Sequence, residues 1–164
     1  MKKFLKAFSL IFVCILLIGC GSDSGEIKEK NYTSNGLSIT MKEGLLEKTN
    51  ENFEAYFETS DMIFMGNKET FEELSIINLD ANSTLDEYLD LIISVNGESS
   101  GKLKDGDLNY FTYEREVNGN KFFYVGSVYK ANDAFWLCNF ACAYSDKDTY
   151  EDLFIKWAKT VSFE

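Results

Sequence analysis

Alternating apolar and polar residues predict β-strands through most of this chain. Two Asn-Gly pairs, Asn35-Gly36 and Asn118-Gly119, each separate two β-prone runs. Such a pair is a strong hairpin signal, because the tight turn needs two residues that tolerate a positive φ. The predicted strands are, in order, 31–34, 37–41, 53–59, 62–67, 108–117, 121–131 and 135–144.

Apolar residues at helical spacing predict two helices. Ser83, with Asp86 three residues later, resembles a capping box at the start of the first helix, and Gly97 is a suitable stop. The second helix is expected to begin at Ser145, with acidic residues near its positive end. Residues 71–82 fit neither period. The two apolar stripes are Leu85, Tyr88, Leu89, Ile92 and Ile93, and then Tyr150, Leu153, Phe154, Trp157 and Val161.

The strand predicted over 135–144 is apolar on both of its faces. One face carries Trp136, Cys138, Phe140 and Cys142, and the other carries Phe135, Leu137, Ala141 and Ala143. A strand of this kind is covered on both faces. The sequence therefore predicts an α+β domain with a largely antiparallel sheet. We expect the two helices to pack on opposite faces, or one helix and the long loop region to do so.

The amino terminus has the layout of a cleavable bacterial signal. Three lysines among the first six residues precede an apolar run over 8–18, which is short for a membrane span. The motif Leu17-Ile18-Gly19-Cys20 resembles the lipobox of bacterial lipoproteins, which implies cleavage before Cys20 and acylation of its sulfur. In the alternative, the segment is an uncleaved anchor and Cys20 is incidental. The predicted organisation is a signal peptide over 1–19, a lipidated cysteine and tether over 20–30, and one globular domain over 31–164.

Charge and length narrow the class of protein. The full chain has a net charge of −11, and the predicted signal carries three lysines and no acid, so the mature chain of 145 residues has a net charge of −14. This length suits a single domain. A nucleic-acid partner is not expected, because such binding needs a basic surface. We expect the domain to be held at the extracytoplasmic face of the cell membrane by the lipid on Cys20.

No catalytic residue, metal site or cofactor is predicted. The chain has no histidine, which removes the usual base of serine and cysteine hydrolases and a common zinc ligand. Cys138 and Cys142 lie about 13 Å apart if they share a strand, so we expect two buried free thiols rather than a disulfide. Carboxylates are abundant, so a carboxylate-only hydrolase acting on cell-envelope glycans stays open as the alternative function.

Four tyrosines on adjacent predicted strands are a candidate ligand face: Tyr110, Tyr113, Tyr124 and Tyr129. Aromatic concave surfaces suit small apolar or carbohydrate-like ligands. The alternative is that these rings pack under a helix, with their hydroxyl groups at its edge.

The order of elements resembles the PsbP-like fold, which also occurs in DcrB-type bacterial lipoproteins. The resemblance rests on the opening hairpin at Asn35-Gly36, the mid-chain helix, the hairpin at Asn118-Gly119, and the closing segment 157–163. It implies an antiparallel sheet between helices and a non-enzymatic accessory or binding role. On this basis we expect a possible protein partner or small ligand close to the membrane.

Overall fold

The computed structural model describes residues 27–97 and 99–164, so the predicted signal, Cys20 and most of the predicted tether lie outside the described residues. Within the described ranges, no helix has the length and hydrophobicity needed to cross a bilayer. The elements are β1 (Glu29–Ser34), β2 (Leu37–Lys42), β3 (Leu46–Glu47), β4 (Ala55–Glu58), β5 (Met62–Thr70), α1 (Phe71–Leu74), α2 (Leu85–Asn96), β6 (Leu103–Asp105), β7 (Leu108–Val117), β8 (Asn120–Lys130), β9 (Ala134–Ala143), α3 (Lys147–Ala158) and β10 (Ser162–Phe163).

The strands form two antiparallel sheets, which confirms the predicted α+β fold with antiparallel strands. The small sheet has the order β1-β2-β10, and the large sheet has the order β3-β4-β5-β9-β8-β7-β6. Both Asn-Gly hairpins are confirmed: Ser34 pairs with Leu37 across the first turn, and Val117 pairs with Asn120 across the second. All four turn residues have a positive φ, from 48° to 83°, which explains the choice of asparagine and glycine.

Strand β9 lies at the centre of the large sheet and is covered on both faces, as predicted. The α3-side cluster joins Trp136, Cys138, Phe140 and Cys142 to the buried residues of α3 and of β2. The α2-side cluster joins Phe135 and Leu137 to the buried residues of α2. The two helices therefore pack on opposite faces of the large sheet, and the small sheet shares a face with α3. The buried helix residues are Tyr88, Leu89 and Ile92 in α2, and Tyr150, Phe154, Trp157 and Ala158 in α3.

The predicted start of the first long helix was wrong by one residue. Thr84, not Ser83, is the N-cap of α2, and Glu87 rather than Asp86 closes the capping box. The Thr84 hydroxyl accepts from the Glu87 N–H at 3.2 Å, and the Glu87 carboxylate accepts from the Thr84 N–H at 2.7 Å. Ser83 instead belongs to the preceding turn, where its hydroxyl accepts from the Asp80 N–H. Two Ser/Thr-x-x-acid patterns overlap here, and the apolar stripe alone does not choose between them.

Ser145 does not cap the last helix, contrary to the prediction. A 3₁₀ turn over Tyr144–Asp146 precedes α3, and Asp146 occupies the cap position without a side-chain hydrogen bond to the helix. The ambiguous segment 71–82 begins as the short helix α1 and continues as a 3₁₀ turn over Ser75–Ile77 that ends at Asn78, whose φ is 64°. Short turns of this kind leave no usable period in the sequence.

Cys138 and Cys142 are free and buried, as predicted. Both project from β9 into the α3-side cluster. Burial raises the pKa of both thiols, to about 12 for Cys142. Because the thiolate is the reactive form, both sulfurs are expected to be inert in the folded protein.

The two helix starts can be tested by removing one hydroxyl from each. Thr84→Ala should lower the free energy of unfolding by about 1 kcal/mol, because α2 loses its capping hydrogen bond. Ser145→Ala should change it by less than about 0.5 kcal/mol, since Ser145 caps nothing. Urea unfolding of the two variants and the wild type measures both values. An equal loss in the two variants would contradict these assignments.

Candidate binding face

The four tyrosines of the predicted ligand face are divided between the two faces of the large sheet. Tyr113 and Tyr124 lie on the α2 side, where their rings stack with centroids 4.6 Å apart. Tyr110 and Tyr129 lie on the other side, against the α3-side cluster. Residues an odd number apart along a strand point to opposite faces. Tyr110 and Tyr113 are three residues apart in β7, and Tyr124 and Tyr129 are five residues apart in β8. The four side chains therefore do not form one surface.

Two of these tyrosines hold structural hydrogen bonds. The Tyr113 hydroxyl donates to Asn139 Oδ1 at 3.0 Å, and the Tyr129 hydroxyl donates to the Ala158 carbonyl at the end of α3 at 2.7 Å. Burial raises the pKa of both phenols well above the usual value. Tyr113 and Tyr129 thus join strands to neighbouring elements of the core.

A separate apolar patch lies on the α2 side of the large sheet, toward β4. This β4–β5 cluster consists of Tyr56, Ile63, Met65 and Ala141. Phe53 and Tyr124, both half-buried, pack at its border. The main contacts of α2 are with β7 and β8, so the cluster occupies the part of the face beyond that helix.

Polar side chains occupy core positions between the α2-side cluster and the β4–β5 cluster. They are Asn67 and Glu69 of β5 and Asn139 of β9, which are 5%, 5% and 1% exposed. Asn139 accepts the hydrogen bond of Tyr113, and Glu69 accepts one from the Tyr88 hydroxyl at 2.5 Å. A buried polar group that lacks a partner costs about 1–3 kcal/mol, so each of these positions needs a physical account.

Asn67 is the exception among these polar groups. Its Oδ1 is buried and has no hydrogen-bond partner within the part of the chain that the structure describes. Asn67 pairs with Leu137 of β9 and is a diagonal neighbour of Asn139, since Met65 pairs with Asn139. On its other side β4 begins only at Ala55, which pairs with Gly66, so no β4 residue pairs with Asn67. The free acceptor therefore lies at the junction of the two clusters, where the sheet narrows.

Carboxylates surround this acceptor. Glu69 lies two residues along β5 on the same face, and burial raises its pKa, with further contributions from the nearby carboxylates of Glu73 and Glu54. The Glu54 carboxylate accepts from the Lys68 N–H at 3.1 Å, which holds it beside the open edge of β5. Acidic groups therefore lie close to Asn67.

The lysines around this half of the sheet already have acidic partners. Lys48 forms an ion pair with Glu58, whose carboxylate also accepts from the Tyr56 hydroxyl at 3.0 Å. Lys68 forms an ion pair with Asp133 at 2.7 Å. These pairs occupy Lys48 and Lys68, whereas Lys130, whose Nζ lies 5.6 Å from the centroid of the Phe135 ring on the α2 side, donates to the carbonyls of Ala81 and Ser83.

Sequence reasoning overlooked Asn67 and Asn139, although it placed both in predicted strands. The signal that could have found them is a polar residue at a position where the strand alternation requires an apolar one. In β9, Asn139 interrupts the otherwise apolar set of Phe135, Leu137 and Ala141. An interruption of this kind predicts either a satisfied buried network or a binding group.

A second polar group lies near the start of α3, on the opposite face. Asp61, in the turn between β4 and β5, accepts from Lys42 at 2.5 Å, from Thr59 at 2.5 Å, and from Tyr150. Burial alone would raise the pKa of Asp61, but these hydrogen bonds together lower it below its usual value. The group joins β2, the β4–β5 turn and α3. Its members form hydrogen bonds with one another, so we assign it a structural role.

A shallow cleft of about 610 Å³ lies between the start of β1 and α3. Glu29 at its edge accepts from Lys156 at 2.8 Å and from the Trp157 indole N–H at 2.7 Å. These hydrogen bonds lower the pKa of Glu29, which keeps it ionised and unsuited to act as a general acid. The lining residues are Ile27, Lys28, Glu29, Glu43, Leu153 and Lys156. Across residues 27–97 and 99–164, no group of three or more potential metal ligands comes together.

Comparison with known proteins identifies the fold. The solution structure of the cyanobacterial PsbP protein of Synechocystis sp. PCC 6803 superposes with a TM-score of 0.57 at 14% identity, covering 90% of this chain and 99% of that one. The chain has a PsbP-like fold. LpqN of Mycobacterium tuberculosis, described as involved in cell envelope biogenesis, superposes with a TM-score of 0.48 at 11% identity, covering 84% of this chain and 91% of that one. No protein-family model and no curated protein sequence matches the chain.

The hydrogen bonds of Asp61 predict a specific pH dependence of stability. Because the folded-state pKa of Asp61 is lowered, its contribution is present above the unfolded pKa of about 3.9 and is lost as the pH falls through the folded value. Asp61→Asn should therefore lower the unfolding temperature at pH 7, and the difference from wild type should shrink as the pH falls below about 4. Thermal unfolding monitored by circular dichroism measures both curves.

Asp133→Asn is the matched control for this series. Asp133 also has a lowered pKa, from its hydrogen bond with Lys68, but its side chain is 64% exposed. Exposed ion pairs contribute little, so this variant should lose much less stability than Asp61→Asn at pH 7. Equal losses, or a difference for Asp61→Asn that persists into acid, would contradict the assignment.

Proposed function

We propose that this protein is a lipid-anchored extracytoplasmic lipoprotein whose PsbP-like domain binds a ligand or partner at the membrane rather than catalysing a reaction. The observation that carries the binding role is the buried, unpartnered Oδ1 of Asn67 on the α2 side of the sheet. Proteins pair nearly all buried polar atoms, and an exception in a native fold is a candidate contact for a bound molecule.

The anchoring part of the proposal rests on the motif that ends at Cys20. If the mature chain begins there, eight residues separate Cys20 from Glu29, where β1 begins. A fully extended segment of this length spans about 30 Å, and a flexible one has an average reach of about 15–17 Å. The start of β1, at the edge of the cleft between β1 and α3, would then lie within about 30 Å of the membrane.

The carboxylate-only hydrolase is the less supported alternative. A glycosidase of this kind needs two carboxyl groups that face each other across the substrate, one of them with a raised pKa. Glu69 has the raised pKa, but it is 95% buried and accepts the hydrogen bond of Tyr88. Its environment is that of a group within the core, which favours binding over hydrolysis at this face.

Counting thiols tests the anchor. In protein purified from membranes in detergent, no thiol should react with Ellman's reagent while the protein is folded, since Cys138 and Cys142 are buried. Two thiols should react after denaturation, because on this proposal Cys14 is removed with the signal and the sulfur of Cys20 is a thioether. A third thiol after denaturation would show that Cys20 is unmodified and would contradict lipidation. The Cys138→Ala variant, in which one thiol should react after denaturation, calibrates the count.

A ligand panel tests binding against catalysis. In a thermal-shift assay of the detergent-purified protein, at least one of amines, sugars, amino acids, peptidoglycan fragments and lipids should stabilise the fold. A ligand at 100 times its dissociation constant contributes about 2.7 kcal/mol, or about 5–10 °C at this size. The same glycan samples are assayed for new reducing ends. Release of reducing ends that Glu69→Gln abolishes would overturn the binding proposal in favour of hydrolysis.

A further inference from the structure

We propose that the junction of the α2-side and β4–β5 clusters is a binding site for a small organic ammonium ion with an apolar body, with Asn67 as its central hydrogen-bond acceptor. This inference deepens the proposed binding role by naming the ligand chemistry and the residues. It rests on the geometry and charge around one side chain.

The polar contact of the proposed site is the free acceptor of Asn67. The Oδ1 of Asn67 can only accept hydrogen bonds, so its missing partner must be an N–H or O–H donor. Two hydroxyl donors on this face are already used, since the Tyr113 hydroxyl donates to Asn139 and the Tyr88 hydroxyl donates to Glu69. A ligand that carries an N–H or O–H group would supply the missing donor.

Charge around Asn67 comes mainly from two acidic side chains. Glu69 lies two residues along β5 on the same face, and the Glu54 carboxylate lies at the edge of β5, where it accepts from the Lys68 N–H. Lys48 and Lys68, by contrast, are held in ion pairs with other acids. Such surroundings disfavour a phosphate or carboxylate and favour a cation. An ammonium group is both an N–H donor and a cation, so it matches the free acceptor of Asn67 and the negative charge near it.

The apolar part of the proposed site is the β4–β5 cluster. The β4–β5 cluster is adjacent to Asn67 through Met65 and is bordered by the ring of Tyr124. Aromatic faces attract cations and stack on flat rings. A ligand with one aromatic or short aliphatic group next to its ammonium would fill this position, entering beside Ala55, where β4 begins.

Three compounds of nearly the same shape separate the effect of ligand charge from that of hydrogen bonding. Phenethylamine carries the ammonium, 2-phenylethanol carries a neutral donor, and 3-phenylpropionate carries a negative charge. With the full detergent-purified protein at millimolar ligand, phenethylamine should raise the unfolding temperature by about 2–5 °C, 2-phenylethanol by less, and 3-phenylpropionate not at all. An equal or larger shift with 3-phenylpropionate would overturn the charge assignment.

Variants then locate the site. Asn67→Leu removes the unpartnered acceptor, so the free protein should be as stable as wild type or more stable, and the phenethylamine shift should be lost. Asn139→Leu is the control, because it breaks the hydrogen bond of Tyr113. It should lower stability yet keep most of the shift. Retention of the full shift in Asn67→Leu would overturn the site while leaving the binding proposal to the ligand panel.

Glu54→Gln tests the electrostatic part without removing a contact. The amide keeps an oxygen that can accept from the Lys68 N–H, but it removes one negative charge. The difference between the phenethylamine and 2-phenylethanol shifts should therefore decrease. An unchanged difference would overturn the role of Glu54, and the absence of any shift in wild type would overturn the ammonium site as a whole.

Discussion

Burial of β9 on both faces is the constraint on which the rest of this structure depends. A central strand whose two faces are both apolar must be covered twice, and the chain supplies α3 with the small sheet on one side and α2 on the other. The pairing of β5 and β8 to its two edges follows, because a strand buried on both faces must also have its backbone groups paired. The helices lie where they do because of the residue pattern of this one strand.

The same constraint explains why the buried polar side chains in this core are informative. Within a two-sided apolar core, an amide or carboxylate lowers stability unless it is paired. Asn139 and Glu69 are paired with tyrosine hydroxyl groups, and their networks fix how α2 and β7 sit on the sheet. Asn67 has no such role in the described fold. A donor supplied from outside the chain would offset this cost, which is why the proposed site is centred on Asn67.

Much of the fold could be predicted from the sequence because its signals are local. The Asn-Gly turns need positive φ at both residues, and the pattern of β9 specifies cover on both sides. The starts of α2 and α3 were misassigned because several Ser, Thr and acidic residues near each start satisfy the capping pattern. The separation into two sheets depends on long-range pairing, such as Phe163 of β10 with Leu37, which no local pattern encodes.

The candidate site was less predictable for the same reason. The tyrosines drew attention as residue types, but alternation along β7 and β8 sends them to opposite faces. Asn67 stands out only when its position on the face, its burial and its missing partner are known together. Its neighbour Glu54 joins the site beside the start of β4, which depends on the register of two strands.

A crystal structure of the protein soaked with phenethylamine tests the central claim most directly. The account predicts ligand density beside Met65 and Tyr124, with the ammonium nitrogen about 2.7–3.2 Å from Asn67 Oδ1. The contradicting result is an Asn67 oxygen bonded to an ordered buried water that is itself held by protein groups, with no ligand density on this face. In that case Asn67 would belong to a hydrated core, and the α2 side of the sheet would be structural.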